Sequence, residues 1–197
     1  MPRPLSELTL EELWQIFPIV LRDHNPQYSQ WYREEAAALT QAIGLDAIAR
    51  MEHIGSTAVP GLLAKPTVDI LLELTPDPDM GQLQQDLAAA GWGCMHSQIR
   101  PVLQLDYNKG YTPEGFAERV FHLHIRALGD PDELYFRDYL RANPPVAAAY
   151  ARLKGGLLQA YEHDRDGYTA AKTAFVREHT TAARAQFGGR YLPKPAH

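Results

Sequence analysis

Apolar residues change their spacing along the chain, and each change predicts a different structural element. Residues 16–21 form a short apolar run before a turn signal at Asn25-Pro26, which predicts a first strand. Residues 29–44 have helical spacing, and Gly44 ends the predicted helix. Residues 47–54 predict a second strand, which runs into a turn rich in glycine and proline.

Two later segments alternate apolar and polar residues with a period of two, which is typical of strands with one buried face. These segments are 67–74 and 120–127, and shorter strands are predicted at 94–98 and 102–107. In both alternating segments one face is apolar and the other is mostly polar. The mostly polar faces carry Asp69, Leu71 and Glu73 in the first segment and Val120, His122, His124 and Arg126 in the second.

The last third of the chain is predicted to be helical. Helices are expected at about 132–141, 146–161 and 167–186, after an earlier one at 79–90. Because strands come first and helices mostly follow, the order predicts the α+β class, with an antiparallel or mixed sheet and helices packed on one side of it. A length of 197 residues suits a single domain over 1–197.

The composition narrows the classes of partner and compartment. Hydrophobic residues make up 45% of the chain and charged residues 22%, which is typical of a globular protein. The formal net charge of −5 is against binding to nucleic acid, which needs a basic surface. No stretch resembles a signal peptide or approaches the roughly 20 apolar residues of a membrane span, so we expect no membrane partner and a cytoplasmic location. The single cysteine, Cys94, suits a reducing compartment, and we expect it in the core.

The polar faces of the predicted strands hold candidate metal ligands. His122 and His124 lie at i and i+2 of one strand, so they point to the same side about 7 Å apart at Cα. With a carboxylate such as Asp69 from a neighbouring strand, they suit a metal ion or a phosphate. Gln104 and Asp106 join the same wall if the strands are neighbours. The alternative is the ordinary solvated face of an antiparallel sheet.

The turn before Asp69 carries candidate phosphate ligands. Its glycine lacks a Cβ, which lets backbone N–H groups approach a ligand closely. Its hydroxyl groups donate hydrogen bonds, and the lysine that opens the next strand is a mobile cation suited to phosphate. Together these groups can hold a triphosphate beside a metal ion on Asp69, whereas the alternative is that they only shape a tight connection. The candidates are His53, Gly55, Ser56, Thr57 and Lys65.

This turn and the strand after it resemble the signature of a known family. Residues 53–74 read HIGSTAVPGLLAKPTVDILLEL, which is similar to the GrpB family, also called UPF0157. The resemblance continues through Lys109-Gly110-Tyr111, residues 121–124 and 135–140, and ends near Lys172, so it covers nearly the whole chain. It implies a nucleotidyltransferase-like fold, in which a Gly-Ser turn precedes a strand with an acidic metal-binding pair. Some family members are fused to dephospho-coenzyme A kinase, which implies a place in nucleotide or coenzyme A metabolism.

The sequence departs from the superfamily pattern at Leu71. The pattern is Asp-x-Asp or Asp-x-Glu, and a leucine cannot ligate a cation, so the usual two-metal site cannot form from this strand alone. Glu73 lies on the same face and offers one replacement. His122 or His124 offers another, and nitrogen ligands favour a transition metal over magnesium. In the third alternative catalysis is lost and the cleft only binds.

The leading hypothesis is an enzyme of nucleotidyltransferase type that acts on a nucleotide or a phosphorylated small molecule. Asp69 and Lys65 are its predicted catalytic residues. A divalent metal ion, either magnesium or a transition metal, is expected on Asp69, His122 and His124. For Arg137 the alternative is an Arg–Asp pair that fixes its helix to the sheet. Phosphate contacts beyond those of the turn are expected from Lys109, Arg137, Tyr168 and Lys172.

Two other functions stay open on the sequence. Leu71 favours a non-catalytic module that binds a nucleotide or a coenzyme A precursor. The His-x-His pair favours a metal-dependent phosphoester hydrolase.

Overall fold

The computed structural model describes residues 3–193, so residues 1–2 and 194–197 of the predicted domain lie outside it. Its strands form one five-stranded sheet in the order β1-β2-β5-β4-β3. The sheet is mixed because β2 and β5 are parallel while the other neighbours are antiparallel, and the α+β class with a helical C-terminal third is therefore confirmed. The elements are α1 Leu10–Ile16, α2 Tyr28–Ile43, β1 Ile48–Ile54, β2 Val68–Leu74, α3 Met80–Ala89, β3 Gly93–Gln98, β4 Gln104–Thr112, β5 Gly115–Ala127, α4 Asp132–Ala142, α5 Pro144–Tyr161 and α6 Arg165–Phe187.

The N-terminal segment differs from the prediction. The strand expected at 16–21 is wrong, because α1 runs into this segment and no named strand includes it within the described residues. A capping box begins the helix: Thr9 Oγ1 accepts from the backbone N–H of Glu12, whose carboxylate accepts from the N–H of Thr9. Phe17 and Ile19 are buried, so the apolar run reflects burial in the core and not a strand.

Helices α2 and α3 cover one face of the sheet, as the alternation predicts. Ile70 of β2 and Leu123 of β5 are fully buried there, in one cluster with Leu39 of α2 and Leu87 of α3. Helix α2 ends at Gly44, whose φ of +81° is a conformation that glycine adopts without strain. The other face of the same strands is therefore not covered by α2 and α3.

Cys94 lies on the edge strand β3 and not in the core, where the sequence analysis expects it. This strand pairs with β4 on one side only and is largely exposed. Cys94 is exposed, so its predicted place in the core is wrong. Among the described residues, no helix combines the length and apolar composition that a membrane crossing needs.

Apolar packing occupies one part of the opposite face of the sheet. Leu71, at the position where the superfamily pattern has an acid, is fully buried. It packs in a cluster with Ile54 of β1 and Leu134 of α4. Helix α4 therefore covers part of this face, in addition to the α2 and α3 layer on the first one.

A buried ion pair occupies the next position of the same face. Glu73 has no exposed surface, and its carboxylate pairs with Arg50 of β1 and accepts a 2.7 Å hydrogen bond from the N–H of Gly129. Arg50 also donates to the carbonyl groups of Gly129 and Tyr191, at 2.8 and 3.1 Å. Glu73 is thus occupied in fixing the chain after β5, and the suggestion that it replaces the missing metal ligand is wrong.

Removal of the Glu73 carboxylate should destabilise the protein strongly. Glu73→Ala leaves the partly buried Arg50 guanidinium without its anion, and the loss of one partner of a fully buried ion pair, which typically costs about 3–5 kcal/mol, is the upper limit of the expected effect. Urea unfolding followed by circular dichroism measures the change. The matched control is Glu34→Ala, which removes an exposed ion pair with Arg119 and should cost much less. Equal losses in the two variants would contradict this interpretation.

Candidate functional site

The polar residues predicted on β2 and β5 meet at one point of the sheet. The two strands are parallel neighbours, and the register pairs Asp69 with His122. His122 Nδ1 lies 3.2 Å from Asp69 Oδ1, and His124 Nε2 lies 3.6 Å from the same oxygen. One ligand atom from each of the three residues lies within 4.8 Å of the other two. The structure therefore brings the three predicted metal ligands together.

Each imidazole has a second partner on its far side. Tyr111 Oη lies 2.8 Å from His122 Nε2 and accepts a 3.1 Å hydrogen bond from Arg165. Asp106 Oδ1 lies 2.9 Å from His124 Nδ1 and accepts a 2.9 Å hydrogen bond from Arg126. Both rings are consequently held with one nitrogen towards Asp69.

Tyr111 reaches this face because β4 is irregular. Its pairing with β5 shifts between Lys109 and Tyr111, and Gly110 there has a φ of +91°. A bulge of this kind inserts an extra residue, so the side chain after it points to the other face. The strand predicted at 102–107 stopped short of it, and only the glycine in Lys109-Gly110-Tyr111 signals the bulge.

Charge interactions at the cluster are strong. Burial would raise the pKa of the Asp69 carboxyl, but hydrogen bonds from His122 and His124 hold it well below its usual range. Burial likewise opposes charge on His124, but hydrogen bonds to Asp106 and Asp69 raise its pKa to about 9. Burial lowers the pKa of His122 against the raising effect of Asp69.

The glycine of the turn packs directly on the Asp69 carboxylate. Gly55 has a φ of +72°, and a Cβ built there would overlap Oδ2 of Asp69 and lie 3.1 Å from its carboxyl carbon. Only a residue without a side chain fits this contact. Gly55 is thus required for the position of Asp69.

His53 and Thr57 hold the turn in place and do not face the cluster. Thr57 Oγ1 donates to the carbonyl of Thr67 at 3.0 Å and lies 3.0 Å from His53 Nε2. The His53 ring stacks on Tyr32 of α2, and burial lowers its pKa to about 4, so it is neutral at pH 7. Their predicted phosphate contacts are therefore replaced by a structural role that fixes the turn to the start of β2.

Ser56 has a partner that the sequence analysis missed. Lys154 of α5 is only 3% exposed, and its ammonium donates to Ser56 Oγ at 2.9 Å and to the carbonyl of Leu63. Burial, together with the charges of Lys172 and Lys65, lowers its pKa to about 7. A lysine in an alanine-rich helix normally predicts a solvated side chain, so the sequence gives no signal for this one.

Two of the predicted cations belong to the same group. Burial and Lys65 lower the pKa of Lys172 to about 8, and burial and Arg165 lower the pKa of Lys65. Asp69 acts in the opposite direction on both. Lys172 Nζ lies 4.3 Å from the centre of the Tyr168 ring, and the buried Tyr168 hydroxyl has no hydrogen-bond partner within the described part of the chain. The charge of Asp69 thus acts on Lys65, Lys154 and Lys172, hereafter the lysine cluster.

Two predicted phosphate ligands are bound to other groups of the protein. Lys109 pairs in register with Phe121 on the α2 side of the sheet, where its ammonium lies 2.7 Å from Glu35. Arg137 is buried, and its guanidinium donates to Asp138, Glu52 and the carbonyl of His53. Lys109 as a phosphate contact is wrong because it is on the opposite face. The Arg–Asp pair expected as the alternative for Arg137 forms within α4, with Asp138, and it is the bonds of Arg137 to Glu52 and His53 of β1 that fix α4 to the sheet.

A cavity of about 350 Å³ opens beside Asp69 and His124. Gly55, Ser56, Asp69 and His124 form its sheet side. Helices α4, α5 and α6 form the facing wall with apolar and acidic side chains. The wall residues are Asp132, Glu133, Phe136, Arg137, Leu140, Tyr150, Val176 and Thr180.

Comparison with known proteins identifies the relatives of this chain. The family model described as GrpB protein matches residues 18–182. This chain belongs to the GrpB family. A UPF0157 protein of Pseudomonas aeruginosa is 37% identical over 153 residues, which cover 77% of this chain and 62% of that protein. A UPF0157 protein of Halalkalibacterium halodurans is 33% identical over 92% of this chain and 91% of its own length.

Solved structures give the same family for this GrpB chain. The conserved protein GrpB from Enterococcus faecalis matches with a TM-score of 0.74 and 30% identity, over 85% of this chain and 99% of that one. A relative named dephospho-CoA kinase, from Mycolicibacterium paratuberculosis, is 27% identical over 82% of this chain and only 45% of its own length. The Cid1 poly(U) polymerase matches with a TM-score of 0.41 and 11% identity, a level that carries no functional inference.

The donor atoms of this GrpB site fit one metal ion and do not fit two. Asp69, His122 and His124 provide one oxygen and two nitrogens. Among the described residues, no second carboxylate joins this group of ligand atoms within 4.8 Å of one another. On β2 itself, Leu71 is buried in an apolar cluster and Glu73 is paired with Arg50. The two-metal acidic site implied by the superfamily resemblance is therefore not formed by these side chains.

Substitution of Gly55 should disturb the cluster more than substitution of another glycine with a similar positive φ. Gly55→Ala and Gly61→Ala both place a side chain at positive φ, which costs roughly 1–2 kcal/mol. Gly61 has open space around it, with a φ of +75°, so its variant should lose only that amount. Gly55→Ala should lose more and should shift the NMR signals of His122 and His124, because Asp69 must move. Identical losses with unchanged histidine signals would refute the contact.

Proposed function

We propose that this protein is a nucleotidyltransferase-type enzyme that acts on a nucleotide or a phosphorylated small molecule. The observation that carries the proposal is the contact of the buried Lys154 ammonium with Ser56, next to the Gly55–Asp69 contact. Gly55 thus has a potential metal ligand, Asp69, on one side, and the hydroxyl group of Ser56 with its lysine partner on the other. This combination suits a phosphate chain whose charge is shared between a metal ion and an ammonium group.

The charge balance of the lysine cluster supports an anionic ligand. Among residues 3–193, the lysine that forms an ion pair is Lys109, and it lies on the other face. Burial is the main cause that lowers the pKa of Lys65, Lys154 and Lys172. The charge of Lys65 also lowers the pKa of Lys154 and Lys172, and the charge of Lys172 lowers that of Lys154, whereas Asp69 opposes the shift in all three. Buried charge without a partner is costly. A phosphate group would supply the missing negative charge.

The expected reaction is an in-line displacement at phosphorus. The acceptor hydroxyl loses its proton to solvent as its oxygen forms a new P–O bond, and the leaving phosphate group departs with the electrons of the P–O bond that breaks. Protonated Lys154 and Lys172 offset the negative charge of the phosphate chain, and Ser56 orients it. Asp69, His122 and His124 would hold the metal ion, which when bound supplies Lewis-acid polarisation of a phosphoryl oxygen.

Two further candidate functions each have one supporting observation. The burial of Leu71 favours a module that binds a nucleotide or coenzyme A precursor without turnover, and the relative named dephospho-CoA kinase makes dephospho-coenzyme A a ligand worth testing. The nitrogen-rich donor set favours a metal-dependent phosphoester hydrolase. The leading proposal differs from both in that it requires transfer to an acceptor other than water.

Loss of Lys154 or Lys172 should weaken binding of nucleoside triphosphates. Each charge-assisted contact is worth about 1.5–3 kcal/mol, so Lys154→Met and Lys172→Met should each raise the Kd about tenfold to a hundredfold. Isothermal titration calorimetry with the common nucleoside triphosphates and with dephospho-coenzyme A measures it. Lys109→Met, a lysine on the opposite face, is the control and should leave the Kd unchanged.

Turnover separates the candidate functions in the same proteins. Chromatography of the reaction with candidate acceptors should show a transferred nucleotidyl group, and Asp69→Asn should abolish it while the circular dichroism spectrum is retained. Binding without any product would favour the sensor, and product formed only with water would favour the hydrolase. If Lys109→Met weakened nucleotide binding as much as Lys154→Met does, the proposed site would be wrong.

Phosphate binding should also depend on pH through the lysine cluster. The pKa values of about 7 for Lys154 and about 8 for Lys172 mean that both lose their protons as pH rises from 7 to 9. Only the protonated forms attract phosphate, so affinity should fall over this range, and binding near pH 8 should take up protons. Calorimetry in buffers of different ionisation enthalpy measures the uptake. Its persistence in the double variant Lys154→Met/Lys172→Met would contradict this assignment.

A further inference from the structure

The two histidines differ in how firmly their hydrogen-bond partners fix which ring nitrogen carries the proton. His124 Nδ1 faces the Asp106 carboxylate at 2.9 Å. A carboxylate ion only accepts hydrogen bonds, so Nδ1 must carry the proton and Nε2 is left facing Asp69. This is the arrangement in which a second carboxylate orients a metal-binding imidazole. His122 is held less strictly, because the Tyr111 hydroxyl can either donate or accept.

Asp106 is itself fixed in this position. Its carboxylate accepts a 2.9 Å hydrogen bond from Arg126, which also donates to the carbonyl groups of Leu105 and Ile125 at 3.1 and 2.9 Å. Asp106 and His124 are direct cross-strand partners of β4 and β5. The orienting carboxylate is therefore part of the rigid sheet and not of a loop.

The spacing and type of the donor atoms indicate which metals would fit. Bonds of about 2.0–2.2 Å at a tetrahedral angle place two donor atoms about 3.4 Å apart. The observed separations from Asp69 Oδ1 are 3.2 Å to His122 and 3.6 Å to His124. Two imidazoles and one carboxylate suit a transition metal with open positions, whereas magnesium prefers oxygen ligands throughout.

We propose that Asp69, His122 and His124 form a mononuclear transition-metal centre, and that Asp106 is the positioning residue that presents His124 Nε2 to the metal. The proposal deepens the proposed function because it uses the same cleft and names the metal class. It does not depend on any nucleotide. Metal binding alone can therefore be tested without reference to turnover.

The competing explanation is an ion-pair network without a metal. In it a protonated His124 bridges the Asp69 and Asp106 carboxylates, and the network only stabilises the sheet. This network and a metal centre differ in the stoichiometry of metal binding and in the effect of Asp106 on metal affinity. Both differences can be measured on the full-length chain.

The experiment starts from protein freed of metal by a chelator. Co²⁺ is titrated while visible absorption is recorded, Zn²⁺ is measured by competition with a chromophoric chelator, and Mg²⁺ by calorimetry. We expect one equivalent of Co²⁺ with the absorption of nitrogen ligation, and at least about a hundredfold weaker binding of Mg²⁺. Asp106→Asn should weaken Co²⁺ and Zn²⁺ binding about 10–100-fold, which is the usual effect of removing an orienting carboxylate.

Matched variants keep the result interpretable. Asp23→Asn makes the same chemical change at an exposed position and should leave the metal affinity unchanged. His124→Ala should abolish the one-equivalent site, and a thermal melt shows whether each variant is folded. If Asp106→Asn were unfolded, Tyr111→Phe, which removes the partner of His122, should still weaken binding severalfold.

Several results would overturn the proposal. These are no Co²⁺ binding below millimolar concentration, Mg²⁺ affinity equal to that of Co²⁺, or metal affinity unchanged in both Asp106→Asn and Tyr111→Phe. Failure here with nucleotide binding intact leaves the lysine cluster and the proposed function standing. Metal binding without nucleotide binding supports this inference and removes the proposed function.

Discussion

The parallel pairing of β2 with β5 is the constraint on which the site depends. Its register sets Asp69 beside His122 and Leu71 beside His124, so the carboxylate and both imidazoles share one face. Parallel neighbours need a long crossover, and here α3, β3 and β4 lie between the two strands in sequence. A shift of one residue in β5 would turn both imidazoles to the α2 side of the sheet, away from Asp69. The apolar side chain of Leu123 opposes that shift, since it would then face the cleft.

The face that holds the site is divided by function along β2. At one end Asp69 faces the cavity, and in the middle Leu71 closes the apolar cluster with Ile54 and Leu134. At the far end Glu73 is neutralised by Arg50. The three alternate positions therefore line the cavity, pack against the helical layer and anchor the chain in turn. The leucine at the second position is explained by this packing, because an acid there would be buried against apolar side chains without a partner.

Periodicity predicted the faces of the sheet, but not which polar residues stay available. Asp69 and Glu73 look equivalent in the sequence, and only the position of Arg50, brought close by β1, distinguishes them. Lys109 is a phosphate candidate in the sequence because it follows a strand in a glycine-containing turn, and Arg137 because it lies beside aromatic residues on a helix. A strand face and a helix orientation nevertheless decide their partners. Local pattern gives the side of a strand, whereas the order of strands and the docking of helices arise from contacts distant in the chain.

Lys154 illustrates the same limit from the other direction. A lysine within an alanine-rich helix is usually solvated, but α5 docks so that this ammonium reaches Ser56 and Leu63. The charge of the Asp69 carboxylate, which is itself held by two imidazoles, acts on the cations of the lysine cluster. A ligand with only a positive or only a negative charge would leave either the lysine cations or the Asp69 carboxylate without an opposite charge from the ligand. In the proposed function an anion that arrives with a metal ion satisfies both halves, since the metal ion would meet the Asp69 side and the anion the lysine side. The opposed charges across Gly55 are therefore the reason why a metal–phosphate complex is the ligand that we propose.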